Sequence, residues 1–174
     1  MLSKHKYMMK NIVLLLILFA TQVNSQTKKS IDSINQIPYL NFLKNHTQLQ
    51  SVFIKNAINA RKINYSFGEA QSYSKLSLAY YYSGDFEKNL KYSLLAIKIF
   101  EKIDQQESLA KEYGELGYRM KKRSLPKALY YMQRGMKISE KNNFEEPLLS
   151  IYNNYGMLKK YNKEPDSALL YFRK

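Results

Sequence analysis

Residues 113–120 read YGELGYRM; forty positions earlier, residues 73–80 read YSKLSLAY, and thirty-nine positions later, residues 152–159 read YNNYGMLK. Each stretch opens on Tyr, carries Leu or Tyr at its fourth place and has Ser or Gly at its fifth. A second set trails each one: Asn89, Ser93 and Ala96, then Ala128, Met132 and Gly135 after a turn one residue shorter, then Ala168 and Phe172. Self-similarity at such a period is the mark of stacked supersecondary units, so the chain reads as a helical repeat before any local structure is considered.

Local signals agree with helical hairpins. Ser83-Gly84-Asp85 offers a turn followed by an N-cap Asp, and Phe86, Leu90, Ile97 and Phe100 then recur near helical spacing, which predicts a helix from about Phe86 to Ile103. Pro126, Pro147 and Pro165 sit where new helices should begin, in the first turn, where a missing N–H costs little. Upstream, Phe53, Ala57 and Ala60 fit a second helix ahead of the first full hairpin, with Ile37 to Leu43 as a shortened partner.

These positions resemble the tetratricopeptide pattern, in which an aromatic, a Leu and a Gly open the first helix of a hairpin and an Ala and an aromatic mark the second. The resemblance covers about Ser66 to Lys174 and implies an all-α fold of antiparallel hairpins stacked as a right-handed solenoid. On it the chain divides into residues 1–25, a signal peptide; 26–65, a helical segment with a partial repeat; repeats at 66–104 and 105–143; and an incomplete repeat at 144–174. Asn89 and Ser93 replace the family's Ala and aromatic, Lys159 replaces an aromatic, and the closing Pro is absent. The pattern has a physical basis: helices approach closely only where side chains are small, so Gly117 and Gly156 should face Ala128 and Ala168. Each hairpin leaves an apolar face for its neighbour to cover.

Composition limits the chemistry. The 174 residues are 45% hydrophobic and 24% charged, with 6 Gly and 4 Pro, which excludes disorder and low complexity. No Cys is present, and His5 and His46 are the two His, which removes disulfides, thiol nucleophiles and nearly all material for a metal centre. His46 reads as a solvated turn residue, and Glu145-Glu146 reads as a favourable pair of charges at a helix start. No Gly-rich phosphate loop or nucleophile elbow occurs, so neither catalysis nor a cofactor is expected.

Residues 1–25 hold three Lys, an apolar run from Ile12 to Ala20 and small residues before Gln26. That layout predicts a secretory signal cut before Gln26, and the run is about half the ~20 residues that span a bilayer. The expected location is therefore periplasmic, with a membrane anchor carrying the repeats outside as the alternative. The chain's 28 Lys and Arg against 14 Asp and Glu raise anionic partners. Arg119, Lys121, Lys122, Arg123 and Lys127 read as a solvated basic run at a helix end, and export argues against nucleic acid.

By position, the resemblance places a concave groove on the first helices. Tyr81 and Tyr82, then Lys111, Tyr118, Lys121 and Lys122, then Asn153 and Lys160 would contact a partner, with Ser74, Leu78, Met157 and Tyr161 alongside. Such a groove would be aromatic, amide-bearing and basic, and would suit a protein or peptide with apolar anchors and acidic groups. The family's carboxylate clamp is not reproduced, because Ser74 and Gly114 stand at one of its positions. A signal, long-period repeats and a last repeat that stops inside its second helix together resemble the extracytoplasmic part of bacterial sensor kinases or helix-turn-helix regulators. A freestanding scaffold is the alternative, and the last hairpin is expected to expose an apolar face.

Overall fold

The computed structural model describes residues 28–173, so the signal-like stretch lies outside the described residues. Those residues form eight helices and no strand: α1 (28–35), α2 (Tyr39–Lys62), α3 (Ser66–Tyr82), α4 (Phe86–Lys102), α5 (Gln106–Met120), α6 (Leu125–Asn142), α7 (Glu145–Tyr161) and α8 (Pro165–Phe172). None of the described helices is long and apolar enough to cross a membrane.

The turns show the repeat most plainly. Asn64, Gly84, Asp104, Asn143 and Lys163 all take positive φ, between 55° and 79°. In each case the next N–H reaches the carbonyl five residues back, as in Tyr65 to Ala60 at 2.8 Å and Phe144 to Ser139 at 2.9 Å. This left-handed cap closes a helix by satisfying its orphan carbonyls and reversing the chain. Successive caps lie about twenty residues apart, one helix plus one turn. Asp85 then caps α4 by accepting from the Lys88 N–H at 3.0 Å, as its place in the sequence predicts.

One turn departs from the rule. Between α5 and α6 no residue takes positive φ, and Ser124 instead caps α6 from an extended conformation. The register also runs further upstream than expected. Asn45, twenty residues before Tyr65, breaks α2 with φ −120° and ψ 20°, so α2 comprises a short lead followed by a full second helix. The expected partner over Ile37 to Leu43 is split: α1 ends at residue 35, Pro38 precedes the α2 lead, and Ile31 and Asn35 of α1 share the buried contacts with Phe42 of that lead. His46 sits within α2, half-buried and with Nδ1 lacking a hydrogen bond among the described residues, rather than in a solvated turn.

Packing between paired helices is antiparallel. Gly117 of α5 lies against Ala128 and Met132 of α6, and Gly135 of α6 against Ala110 and Gly114 of α5. A Cβ on Gly117 would come within 2.8 Å of the Ala128 carbonyl oxygen, so the glycine sets the approach of the two helices. Gly156 approaches the Phe172 ring, the aromatic one turn beyond the Ala168 expected there.

Tyr at the opening position has a double role. Its ring packs on a Tyr of the following helix in every hairpin: Tyr73 on Tyr92 at 5.8 Å, Tyr113 on Tyr131 at 6.2 Å and Tyr152 on Tyr171 at 6.0 Å between centroids. Its hydroxyl reaches the residue twelve places back, on the preceding helix: Arg61, Glu101 and Glu140 in turn. The Tyr thus ties three consecutive helices together. Burial, and then the Glu101 bond at 3.0 Å, push the Tyr113 hydroxyl up to about 12 from an ordinary 10. Replacing Tyr113 with Phe should lower stability by about 1 kcal/mol. It should also weaken the alkaline loss: between pH 10 and about 12 the unfolded chain ionises this Tyr while the fold holds its proton, so stability falls as pH rises. Thermal melts of both proteins across that window measure the difference.

The core is divided. Phe42, Leu49, Phe53, Leu76, Ala79 and Tyr80 form one apolar cluster, and a larger one extends from Ala70 and Phe100 through Leu116 and Met132 to Ile151 and Leu158. At the far end Leu149, Leu169 and Leu170 are exposed.

Candidate functional site

Equivalent positions in successive repeats explain where a cleft opens. Ser72, Glu112 and Ile151 share one place in the first helix, and Ala79, Arg119 and Leu158 share another. In α7 both are apolar, and Ile151 fills the space beside Gly114 and Gly135, so α7 packs directly on α5. In α5 both are charged, and α3 and α5 meet through side chains, with Ser74 donating a hydrogen bond to Glu112. Between these helices lies a cleft of about 540 Å³, lined also by Asn35, Gln36 and Tyr39, by Phe100 of α4 and by Glu146 of α7.

Beneath the cleft runs a buried polar layer. Arg119, 3% exposed, donates through Nη2 to Glu112 Oε1 and to Ser93 Oγ, both at 2.8 Å, and Ser93 Oγ donates to the same carboxylate oxygen at 2.5 Å. Ser77 continues the layer to Asn89 at 2.8 Å. Asn89 and Ser93 stand where the next hairpin has Ala128 and Met132, so Ser77, Asn89 and Ser93 replace a Gly–Ala–Met seam with hydrogen bonds. The polar layer lies between the two apolar clusters of the core. Arg119 is therefore not part of a solvated basic run, as its neighbours suggest; it is a buried ion whose Nε has no hydrogen-bond partner among the described residues.

The walls differ from a basic groove. Glu107, Glu112, Glu115 and Glu146 face Lys75, Lys111 and Arg119. Lys111 pairs with Glu146 at 2.9 Å, and Arg119 also lies 3.6 Å from Glu115. Lys75 forms no ion pair among the described residues; its ammonium stands 6.0 Å above the Phe42 ring, and burial, then the charge of Lys111, lower its pKa against the pull of Glu115 and Glu112.

An aromatic group runs from Tyr39, which lines the cleft, to the C-terminus of α3. Tyr39 meets Tyr82 edge to face at 5.7 Å, Tyr82 meets Tyr81 at 5.4 Å, and Tyr81 meets Phe86 at 6.1 Å. Tyr118 carries the Lys121 ammonium 3.1 Å above its ring. Burial raises the Tyr39 pKa, with Glu115, Tyr118 and Tyr81 adding to the effect and Arg119 opposing it.

Of the groove residues named from the sequence, Ser74, Leu78 and Lys111 line the cleft; Tyr82 and, through it, Tyr81 join the lining residue Tyr39 by ring contacts, and Tyr118 and Lys121 pair with each other outside the lining. Lys122 is exposed in the turn after α5, and Asn153 and Lys160 are exposed on α7 away from the cleft. Sequence reasoning missed Lys75, Glu112, Arg119 and Tyr39. Comparing columns of the repeat would have found two of them, because charge stands at places that are small or apolar in the neighbouring repeats.

Neither a family model, nor a characterised protein, nor a solved structure matches the chain. Its function must therefore be argued from its own geometry. Among the described residues no group of His, Cys, Asp or Glu is placed to hold a metal ion.

Proposed function

We propose that the chain is a tetratricopeptide-type solenoid that is exported and serves as a protein or peptide interaction module. The observation that carries this reading is the cleft: a 540 Å³ space bounded by the first helices of adjacent hairpins, charged along its walls and aromatic at Tyr39. Its size suits a short run of extended or helical peptide, and Tyr gives contact area at modest entropic cost. The wall charges change the partner's chemistry from acidic alone to mixed. An acidic group would sit opposite Lys75, a basic group opposite Glu107 and Glu115, and an apolar anchor against Tyr39 and Tyr82.

Selection of random 12-residue peptides on the full chain tests this. Enriched peptides of that mixed character should lose affinity by about tenfold or more for Tyr81→Ala/Tyr82→Ala and for Lys75→Glu, the loss typical of an anchor contact. Peptides that bind all three proteins equally would move the site elsewhere.

The sequence of residues 1–25 supports export, and N-terminal sequencing of protein recovered from the cell envelope should begin at Gln26. Protein that starts at Met1 and stays in the cytosol would remove export from the reading. We further propose that the module is the sensory or scaffolding part of a signalling protein, a reading that an apolar segment of about 20 residues and an output domain encoded downstream would support. A gene without them supports a freestanding scaffold.

A further inference from the structure

The positive charge is distributed unevenly between the two sides of the stack. The second helices, α2 from residue 46 onward, α4 and α6, carry eleven Lys and Arg against three Glu, all on exposed residues. The first helices α3, α5 and α7 carry five against six. The excess therefore lies on the side that does not line the cleft.

That side has a common register. Exposed positions 47, 48, 51, 54, 58, 61 and 62 recur forty residues later in α4 and thirty-nine later again in α6. At 100° per residue they occupy one arc of about 140°. Lys62, Lys102 and Lys141 form one row across the three helices; Lys98 and Lys137 continue the row that begins at Ile58. These five lysines have no ion-pair partner among the described residues. Between them Ile54, Ile58 and Leu94 are 37%, 47% and 41% exposed.

We propose that this back face docks on an anionic lipid surface, leaving the cleft turned outward for its partner. Unpaired lysines can lay their stems along apolar surface and keep their ammonium groups among lipid phosphates, while Ile54, Ile58 and Leu94 enter the headgroup boundary. Nucleic acid would favour free guanidinium forks and stacking rings. Here Arg61 is held by Glu69 at 2.6 Å, Arg134 lies 3.8 Å from Glu101, and Tyr130, the one ring in the register, bonds Arg134. Lysine rows with apolar residues between them fit a leaflet better than a duplex.

Cosedimentation of the full chain with vesicles of phosphatidylcholine containing about a third phosphatidylglycerol tests the proposal. Lys62→Glu/Lys102→Glu/Lys141→Glu should weaken partitioning by about tenfold or more. The control triple Lys111→Glu/Lys121→Glu/Lys160→Glu, at positions outside the back face and with the same change in net charge, should partition like the original chain. Binding should fall on raising salt to about 0.5 M and on omitting phosphatidylglycerol. All proteins share residues 1–27, so any contribution from that segment cancels in the comparison. Circular dichroism checks the fold, and the Lys→Gln triple replaces the Lys→Glu triple if helicity is lost. Unchanged partitioning of the back-face triple, or an equal loss in the control triple, overturns the proposal. So does a duplex oligonucleotide whose binding the back-face triple abolishes while vesicle binding persists, which would assign the surface to nucleic acid.

Discussion

Arg119→Leu alone is expected to lower the stability of the chain by about 3–5 kcal/mol, because it leaves Glu112 as an uncompensated buried charge. Glu112 is 2% exposed and would keep only the hydroxyls of Ser74 and Ser93. The informative companion is Glu112→Ile/Arg119→Leu, which installs the residues that the next repeat carries as Ile151 and Leu158. Replacing a buried ion pair with apolar side chains is often neutral or stabilising, so the double variant should recover most of the loss. It should also let α3 approach α5 and shrink the cleft. Urea titrations of the three proteins measure the stabilities, and peptide binding measures the cleft. A double variant as unstable as the single one would mean that the polar layer supports the fold in its own right.

Gly117→Ala carries the second largest effect. Alanine ordinarily favours a helix interior by about 1 kcal/mol over glycine, and that gain works against the substitution's cost. The added Cβ would lie 2.5 Å from Met132 Cγ, 2.8 Å from the Ala128 carbonyl oxygen and 2.9 Å from the Met132 backbone nitrogen. Met132 can turn aside, but the backbone of α6 cannot without separating the helices along their whole seam. Two of these three contacts are backbone atoms, which puts the overpacking cost in the upper part of the usual range, about 2–3 kcal/mol, so after the helical gain the net change should be a loss of about 1–2 kcal/mol. The lowered midpoint should appear in urea unfolding followed by circular dichroism. A neutral or raised midpoint would show that α5 and α6 are not held at the distance the glycine permits.

The hairpins are legible in the sequence because their determinants recur. Tyr73, Tyr113 and Tyr152 stand at the same place in each first helix, and the same ring contact and the same bond to the preceding helix repeat with them. Asp85 and Gly117 act through immediate neighbours or a facing helix in the same hairpin, which local pattern also reveals. Arg119 escaped because its partners come from elsewhere. Ser93 belongs to the previous helix, and Glu112 lies two turns back on its own, whereas Lys121, Lys122 and Arg123 beside it reach solvent or a ring. His46 was misplaced for a similar reason: a break at Asn45 without a full turn leaves the residue inside a continuing helix. The basic character expected of the groove failed because family positions assigned Lys111 and Lys121 without the carboxylates that neighbouring helix faces bring beside them.

The division of the core has a consequence for how the chain is made. Every side chain of the N-terminal apolar cluster, including those packed at its margin, lies between Ile34 and Tyr92. That cluster can close on a chain that leaves the export channel N-terminus first, while the rest has yet to follow. The second cluster reaches to Tyr171 and must wait for nearly the whole polypeptide to emerge. Assembly should therefore proceed in the direction of translation, with the first-formed half offering Ser77, Asn89 and Ser93 as a wettable edge until α5 arrives.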